Sequence, residues 1–447
     1  MSNLISLKDF IHRQISGDWG KNLADEIYNH EVYCIRGADI NAVNEGNYND
    51  LPIRYIEAKA KTKFLEEGNI IIEVSGGSPT QSTGRVCYVR GKSINIICSN
   101  FCRAYEIKKE HSPKFFYYLV RNIYNSNIFF NFESKTTGIK NLLIESAFEN
   151  IKVPQIDFND QKSIAKVLSD LDAKIELNNC INRELEAMAK TLYDYWFVQF
   201  DFPNEQGKPY KSSGGKMVYN AELKREIPEG WEVGNIGNYC PSSGGFAFKS
   251  SWWTNEGVSV VKIKDIQEDY TIDISNLAKV DLTDKKIDDK FKAKPGDILI
   301  AMTGATVGKY GIVPITDYPI YVNQRVGYFN LGNEPTEKLP YLINSLNQPY
   351  FRAMIFSLAS GAAQPNISNE QINRISLIIP VRTIVNKYNL KFAPFYKTIL
   401  NNQRQNQQLS ELRDWLLPML MNGQITVKEA EERLSMAAEP SVEYKKG

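Results

Sequence analysis

The chain repeats its own wording at an offset of about half its length. Phe64, Gly68-Asn69-Ile70-Ile71-Ile72, Ser75-Gly76, Gly84-Arg85 and Val153-Pro154 are answered by Phe291, Gly296-Asp297-Ile298-Leu299-Ile300, Thr303-Gly304, Gly308-Lys309 and Ile379-Pro380. Each copy closes in a helix-forming stretch, with Leu177-Asn178-Asn179 and Leu185 in the first and Leu400-Asn401-Asn402 and Leu409 in the second. Gly68 to Gly296 is 228 residues, Gly84 to Gly308 is 224, Pro154 to Pro380 is 226 and Leu177 to Leu400 is 223. A period this long marks duplicated domains, not the short units of a solenoid. Two related heads alternating with two related rods suit a molecule that holds two similar things at a fixed separation.

At 447 residues the chain has room for two to four domains at roughly 100–200 residues each, and the repeat selects the even split. Hydrophobic content of 43% and charged content of 23% are ordinary for a globular protein. No apolar run approaches the ~18 residues of a membrane span, and Met1 to Gln14 lacks a signal peptide's apolar core, so a cytoplasmic location is expected, with no membrane partner. Six cysteines without a C-x-x-C pair and three scattered histidines give no zinc site, and no metal is expected. With a net charge of +1, any nucleic-acid contact has to come from local basic patches.

In the first head, short β-branched runs such as Ile70-Ile71-Ile72-Glu73-Val74 are separated by Gly, Asn and Ser turns, which predicts mixed α/β structure. The period then changes. Leu168, Leu171, Ile175, Asn178, Ile181, Leu185, Met188, Leu192 and Tyr195 follow at spacings of 3 and 4, close to a coiled-coil seam, with Asp160 available to cap the helix. Asn178 and Asn182 read either as a solvated edge of that stripe or as buried amides that fix register, and the matching Asn401-Asn402 favours register. A Pro-, Gly- and Ser-rich stretch from Asp201 to Gly230 reads as a linker. The second rod carries Phe395, Ile399, Asn402, Leu409, Leu412 and Leu416, with Pro394 expected to kink it and Pro418 to end or bend it, and the polar tail from Thr426 is expected to be partly disordered.

Several stretches are similar to one known family. Gln161 and Ile164-Ala165-Lys166-Val167-Leu168-Ser169-Asp170-Leu171-Asp172-Ala173-Lys174-Ile175-Glu176-Leu177-Asn178-Asn179, then Trp196-Phe197-Val198-Gln199-Phe200-Asp201, resemble the central conserved region of the specificity subunit of Type I restriction-modification enzymes. Ser213-Gly214-Gly215-Lys216-Met217, Ile227-Pro228-Glu229-Gly230-Trp231 and Leu412-Arg413-Asp414-Trp415-Leu416-Leu417-Pro418-Met419-Leu420 resemble it too, so the likeness runs through the whole chain. It implies an α+β fold: two tandem mixed α/β target recognition domains separated by two long helices that pair as an antiparallel coiled coil, with pseudo-two-fold internal symmetry. The expected division is 1–155 for the first recognition domain, 156–202 for the central helix, 203–230 for the linker, 231–381 for the second domain, 382–425 for the C-terminal helix and 426–447 for the tail. It further implies a non-catalytic reader of a bipartite, asymmetric site in double-stranded DNA. Two methyltransferase subunits and motor-nuclease subunits are the implied partners. S-adenosylmethionine, ATP and magnesium are implied for those partners, and no cofactor for this chain. From Ile164 to Tyr195 is 32 residues, roughly 48 Å of helix or about 14 base pairs, enough to space two heads about one DNA turn apart.

Three segments imitate catalytic motifs without completing them. Gly304-Ala305-Thr306-Val307-Gly308-Lys309-Tyr310 is one residue short of a phosphate-binding loop and has Tyr where Ser or Thr must hold magnesium. Asn347-Gln348-Pro349-Tyr350 departs from the Asn-Pro-Pro-Tyr of amino-methyltransferases at Gln348, and Asp50 with Glu57-Ala58-Lys59 fits only a loose nuclease spacing. No catalytic residue is assigned.

The DNA-binding candidates lie in the loops of the heads. Ser78, Gln81, Thr83 and Arg85 in the first head, and Thr303, Thr306 and Lys309 in the second, follow an apolar strand with small hydroxyl residues and end on a base. Such loops are either plain hairpins or contacts to phosphates and base edges, and their repetition favours contact. Asn323, Gln324 and Arg325, with Asn100 and Arg103 as counterparts, come next, since Asn and Gln suit adenine and Arg suits guanine. Lys135 and Lys140 with Thr136 and Asn141, and Gln364 and Asn366, form a third loop pair, while Arg36 and Lys264 read equally well as strand caps.

Overall fold

A computed structural model describes residues 3–76, 81–91, 95–136, 139–359 and 365–438, without the side chains of 135–136, 139 and 435–438. Ser78 and Gln364 lie outside the described residues, as does the side chain of Lys135. The chain forms two compact units, Met1–Glu176 with Gln407–Gly447, and Leu177–Asn406. Both boundaries fall inside long helices, Phe158–Tyr193 and Arg382–Met421, so each unit is a head together with part of both rods.

The two heads share a common strand order at the centre of their sheets. In the first, Ile11–Ser16, Cys102–Ile107, Ile70–Glu73 and Val86–Tyr88 form one antiparallel sheet. Beside it, Ile53–Glu57, Tyr28–Ile35 and Ile96–Cys98 form a second sheet whose last pair is parallel. In the second head Ser242–Gly244, Val326–Phe329, Ile298–Ala301 and Tyr310–Ile312 repeat the first order. Ala278–Val280, Val258–Val261 and Ile320–Val322 repeat the second with its parallel pair, and Trp253–Thr254 and Lys292–Ala293 extend it by one strand at each edge. Each head starts and finishes on one ribbon, Leu4–Ser6 with Lys152–Pro154 and Glu232–Asn235 with Ser376–Ile379, so the chain enters and leaves it at adjacent points.

Period-2 geometry explains the apolar runs at the centre of each sheet. Ile70 and Ile72 enter an inner core with Phe115, Phe116 and the rod residues Leu168, Leu171 and Leu416, whereas Ile71 points into an outer core with Ile35 and Cys98. Ile298 and Ile300 likewise face Tyr341, Tyr193, Phe197 and Tyr388, and Leu299 faces Val261 and Val322. Head and rod therefore share one core within each unit, which removes the sharp head–rod boundary that sequence suggested.

The rods run antiparallel. In the second unit Asn178 meets Asn406, Asn182 meets Asn402 and Ala189 meets Tyr388, and in the first unit Asp172 meets Arg413. Asn178 is 1% exposed, and its Nδ2 donates to Gln405 Oε1 and Asn406 Oδ1, both at 2.8 Å. These amides therefore lie inside the seam. Beyond Asn178 the stripe departs from the expected one: Asn182, Ala189, Tyr193 and Trp196 are buried, whereas Ile181 and Met188 are 37% and 51% exposed. Asn182, Ala189 and Trp196 are seven residues apart with Leu185 and Leu192 half-buried between them, so the seam keeps the heptad, and the expected stripe left it by one residue at Ile181.

Four local expectations are corrected. The helix cap is Asp157, whose Oδ1 accepts from the backbone N–H groups of Asn159 and Asp160, so the helix starts before Asp160. Pro418 does not end the second rod, because Arg382–Met421 runs on through it and through Pro394, and the carbonyl that Pro394 leaves without its donor belongs to the solvent-facing Leu390. The linker holds a hairpin, Met217–Asn220 with Arg225–Pro228, and its loop is pinned where Asp201 accepts from Ser212 N and Oγ at 2.7 and 2.6 Å. The tail begins with a helix, Val427–Ala438, started by a Thr426–Glu429 capping box and anchored by buried Ala430. Among the described residues no helix is long and apolar enough to cross a membrane, and no cluster of potential metal ligands occurs.

Candidate nucleic-acid interface

Each head wires three loops together by equivalent backbone bonds. In the second head Met302 N donates to Arg325 O at 3.0 Å, Ile367 N to Met302 O at 2.9 Å, and Gly304 N to Pro365 O at 2.9 Å. A bridge between Thr303 and Asn366 completes the junction. The candidates around Thr303, Asn323 and Asn366 are thus neighbours in space. In the first head Val74 N donates to Phe101 O at 2.8 Å, Leu142 N to Val74 O at 2.8 Å, and Ser75 and Gly76 pair with Asn141 and Lys140.

That wiring corrects one pairing. Val74 corresponds to Met302, Leu142 to Ile367 and Phe101 to Arg325, so Ser99-Asn100-Phe101 is the equivalent of Asn323-Gln324-Arg325. Asn323 is buried, and its Oδ1 accepts from Arg325 N at 3.3 Å, which folds the turn so that Gln324 and Arg325 are exposed. Ser99 is buried at the matching place, Asn100 is exposed, and Phe101 is 53% exposed. Arg103 sits on the following strand, where Nη1 donates to the Asn100 and Cys102 carbonyls and braces the turn from behind. Phe101 was missed from sequence because a lone Phe beside a strand reads as core.

The polar candidates of the first loop are largely consumed inside the head. Arg85 holds Glu73 through Nε–Oε2 at 2.8 Å and Nη2–Oε1 at 2.7 Å, and Glu73 is 2% exposed. That pair raises the Arg85 pKa, chiefly through the hydrogen bond to Glu73. Gly37 and Gly76 close over the same carboxylate: a Cβ at either would come within 2.6 or 2.8 Å of Glu73 Oε1. Thr83 donates from N and Oγ1 to Glu133 Oε1 at 2.7 and 3.1 Å. Lys140 Nζ lies 3.3 Å from Glu133 Oε2 and donates to Gln81 O at 3.1 Å, while the Gln81 side chain is exposed. Two buried carboxylates need neutralising partners in a low dielectric, so Thr83, Arg85 and Lys140 hold this loop in shape from within the head.

The second head leaves its base more available. Lys309 pairs with Glu268 at 3.0 Å, but Glu268 is almost fully exposed, and surface pairs of this kind contribute about 0–1 kcal/mol. Thr306 accepts from Lys309 N at its carbonyl and is half-buried, and Asn366 is exposed. Among the described residues the buried Thr303 Oγ1 has no hydrogen-bond partner at the loop junction. Lys264 is tied to Asp265 at 3.2 Å and Arg36 to Asp39 at 2.7 Å, both as turn supports.

A model of the Type I restriction modification DNA specificity domain matches residues 21–187 and again residues 228–411, one match on each copy of the repeat. The MjaIX specificity subunit of Methanocaldococcus jannaschii is 27% identical over 290 residues, 64% of this chain and 63% of that protein. The HindI specificity subunit of Haemophilus influenzae is 24% identical over 463 aligned positions, 90% of this chain and 93% of that one. A solved Type-I restriction-modification S subunit from M. genitalium shares the fold at a TM-score of 0.51 and 16% identity, covering 94% of this chain and 96% of its own. With the family model matched twice over most of its length, the chain belongs to the Type I restriction-modification DNA specificity family and carries that domain in tandem.

Proposed function

We propose that the chain is the sequence-specific DNA-binding subunit of a Type I restriction-modification complex and is not itself an enzyme. Each head reads one half of a bipartite, asymmetric site in double-stranded DNA. Two methyltransferase subunits assemble on it to methylate adenine, and motor-nuclease subunits join for restriction. S-adenosylmethionine, ATP and magnesium serve those partners, and the complex acts in the cytoplasm, where the DNA is.

One observation carries this reading: the same three-loop junction in both heads presents different exposed tips, Asn100-Phe101 in one and Gln324-Arg325 in the other. Gln and Asn fit adenine edges, Arg fits guanine, and Phe packs against a thymine methyl group. A shared frame with unlike tips suits two unlike half-sites.

The test is expression with a methyltransferase subunit in a methylation-free host, followed by single-molecule methylome sequencing. A split motif with N6-methyladenine in both halves is expected, and none from the chain alone. Methylation by the purified chain without a partner would overturn the assignment.

A further inference from the structure

The two heads differ where the parallel strand of the outer sheet ends. In the first head Tyr28–Ile35 runs into Arg36, whose backbone N–H donates to Asp39 Oδ2 at 2.9 Å. The Arg36 guanidinium closes on the same carboxylate, at 2.8 Å from Nε and 2.7 Å from Nη2. In the second head Val258–Val261 runs into Lys262, whose N–H donates to Asp265 Oδ2 at 2.8 Å in the same turn. There the likeness stops. The other Asp265 oxygen takes Lys264, and the Lys262 ammonium lies 3.5 Å from the centre of the Trp253 ring. Among the described residues Lys262 has no carboxylate within 4.0 Å, and burial lowers its pKa, offset in part by the more distant Asp265.

Lys262 opens on a cleft of about 770 Å³ whose walls include Thr254, Asn255, Ser275, Asn276 and Lys279. The cleft lies beside the reading turn. Val261 pairs with Val322 in the parallel ladder and Asn323 N donates to Val261 O at 3.1 Å, so Lys262 stands next to the residue that roots Gln324 and Arg325. A partly buried cation with no carboxylate partner among the described residues, on a cleft that also carries the Thr254 hydroxyl and the Asn255 and Asn276 amides, calls for an anion, while the Ser275 hydroxyl is already given to Asp273. A lysine supplies a point charge, which suits a phosphate oxygen better than the paired edge of a base.

We propose that this cleft holds a backbone phosphate of the half-site read by the second head, with Lys262 as its cationic ligand and Trp253 as the platform that keeps the ammonium in place. The inference rests on the DNA-reading function above. The first head makes no equivalent contact, because Arg36 is already held by Asp39.

The test is the salt dependence of duplex binding by the full chain, followed by fluorescence anisotropy with wild type, Lys262→Ala and Lys262→Arg. Lys262→Ala should weaken binding to cognate and non-cognate duplexes alike and reduce the slope of log K against log salt by about 0.9, the value of one phosphate. Lys262→Arg should restore the slope. A single methylphosphonate in the second half-site should weaken wild type and leave Lys262→Ala unaffected. An unchanged slope in a Lys262→Ala protein with wild-type circular dichroism overturns the proposal, and so does a change in the bases preferred. Wild type that binds no duplex at low salt would overturn the DNA-reading function itself, and this inference with it.

Discussion

Asn178 Nδ2 donates to Asn406 Oδ1 at 2.8 Å, and Asn406 Nδ2 in turn donates to Asn179 Oδ1 at 2.7 Å, so one amide of each rod is read by the other inside the seam. Asn402 Nδ2 to Asn182 Oδ1, at 2.8 Å, repeats the motif one turn along. A one-residue slip would leave these buried donors and acceptors unpaired, so the ladder selects one antiparallel register against its neighbours at some cost in burial.

Asn178→Ala should therefore lower stability by about 1 kcal/mol, the cost of stranding the half-buried partners Gln405 and Asn406. Urea unfolding monitored by circular dichroism measures it. A midpoint equal to wild type would mean that water satisfies these groups and the ladder does not set register.

Asp297 makes stability depend on pH. Burial pushes its carboxyl up to about 6, while the backbone N–H of Lys294, at 2.7 Å, only partly offsets the effect. A carboxyl raised in the folded state favours folding when protonated, so this contribution is complete below pH ~4, declines as pH rises to ~6 and is absent above it. The equivalent residue of the first head is Asn69, which makes the same bond to Glu66 N at 2.9 Å without a charge. Asp297→Asn should raise the melting temperature at pH 7.5, by up to roughly 3 kcal/mol in stability, with the gain vanishing near pH 4. A gain that is the same at both pH values would show that ionisation is not its cause.

Arg85→Ala should act on folding. It leaves Glu73 buried and unpaired, a loss on the order of 3 kcal/mol or more. Differential scanning calorimetry should show a lowered first-head transition. A variant that melts like wild type but binds DNA with a shallower salt slope would return Arg85 to the interface.

Gln324→Ala and Arg325→Ala should relax one base position each, in one half-site only, with a discrimination loss of about 1–3 kcal/mol per position. Methylome sequencing reads this directly. Lys309→Ala should instead leave the motif intact and reduce the salt slope by about one unit. A motif unchanged in the Gln324 and Arg325 variants would remove the turn from base reading.

The duplication, the helical rods and the head–rod–head–rod order were legible in the sequence, because period-3.6 and period-2 burial leave their mark on residue type and because a repeat needs only itself for comparison. The tail helix was legible too: Thr426 with Glu429 three residues on is a capping box, outweighed by the polar composition that follows it. Tertiary structure decided which polar residues are free. Arg85 and Lys309 occupy matching places in the repeat, yet one meets a buried Glu73 on its own sheet and the other an exposed Glu268 from a distant loop. Arg36 and Lys262 begin the same turn and both bond its aspartate through their backbone N–H, yet only Arg36 also turns its side chain onto that carboxylate. The buried side of the second half of the central helix, with Ala189 inside and Met188 outside, was likewise set by what Tyr388 brings against it. Charge pairing and close packing depend on residues far apart along the chain, and one-dimensional spacing carries no record of those distances.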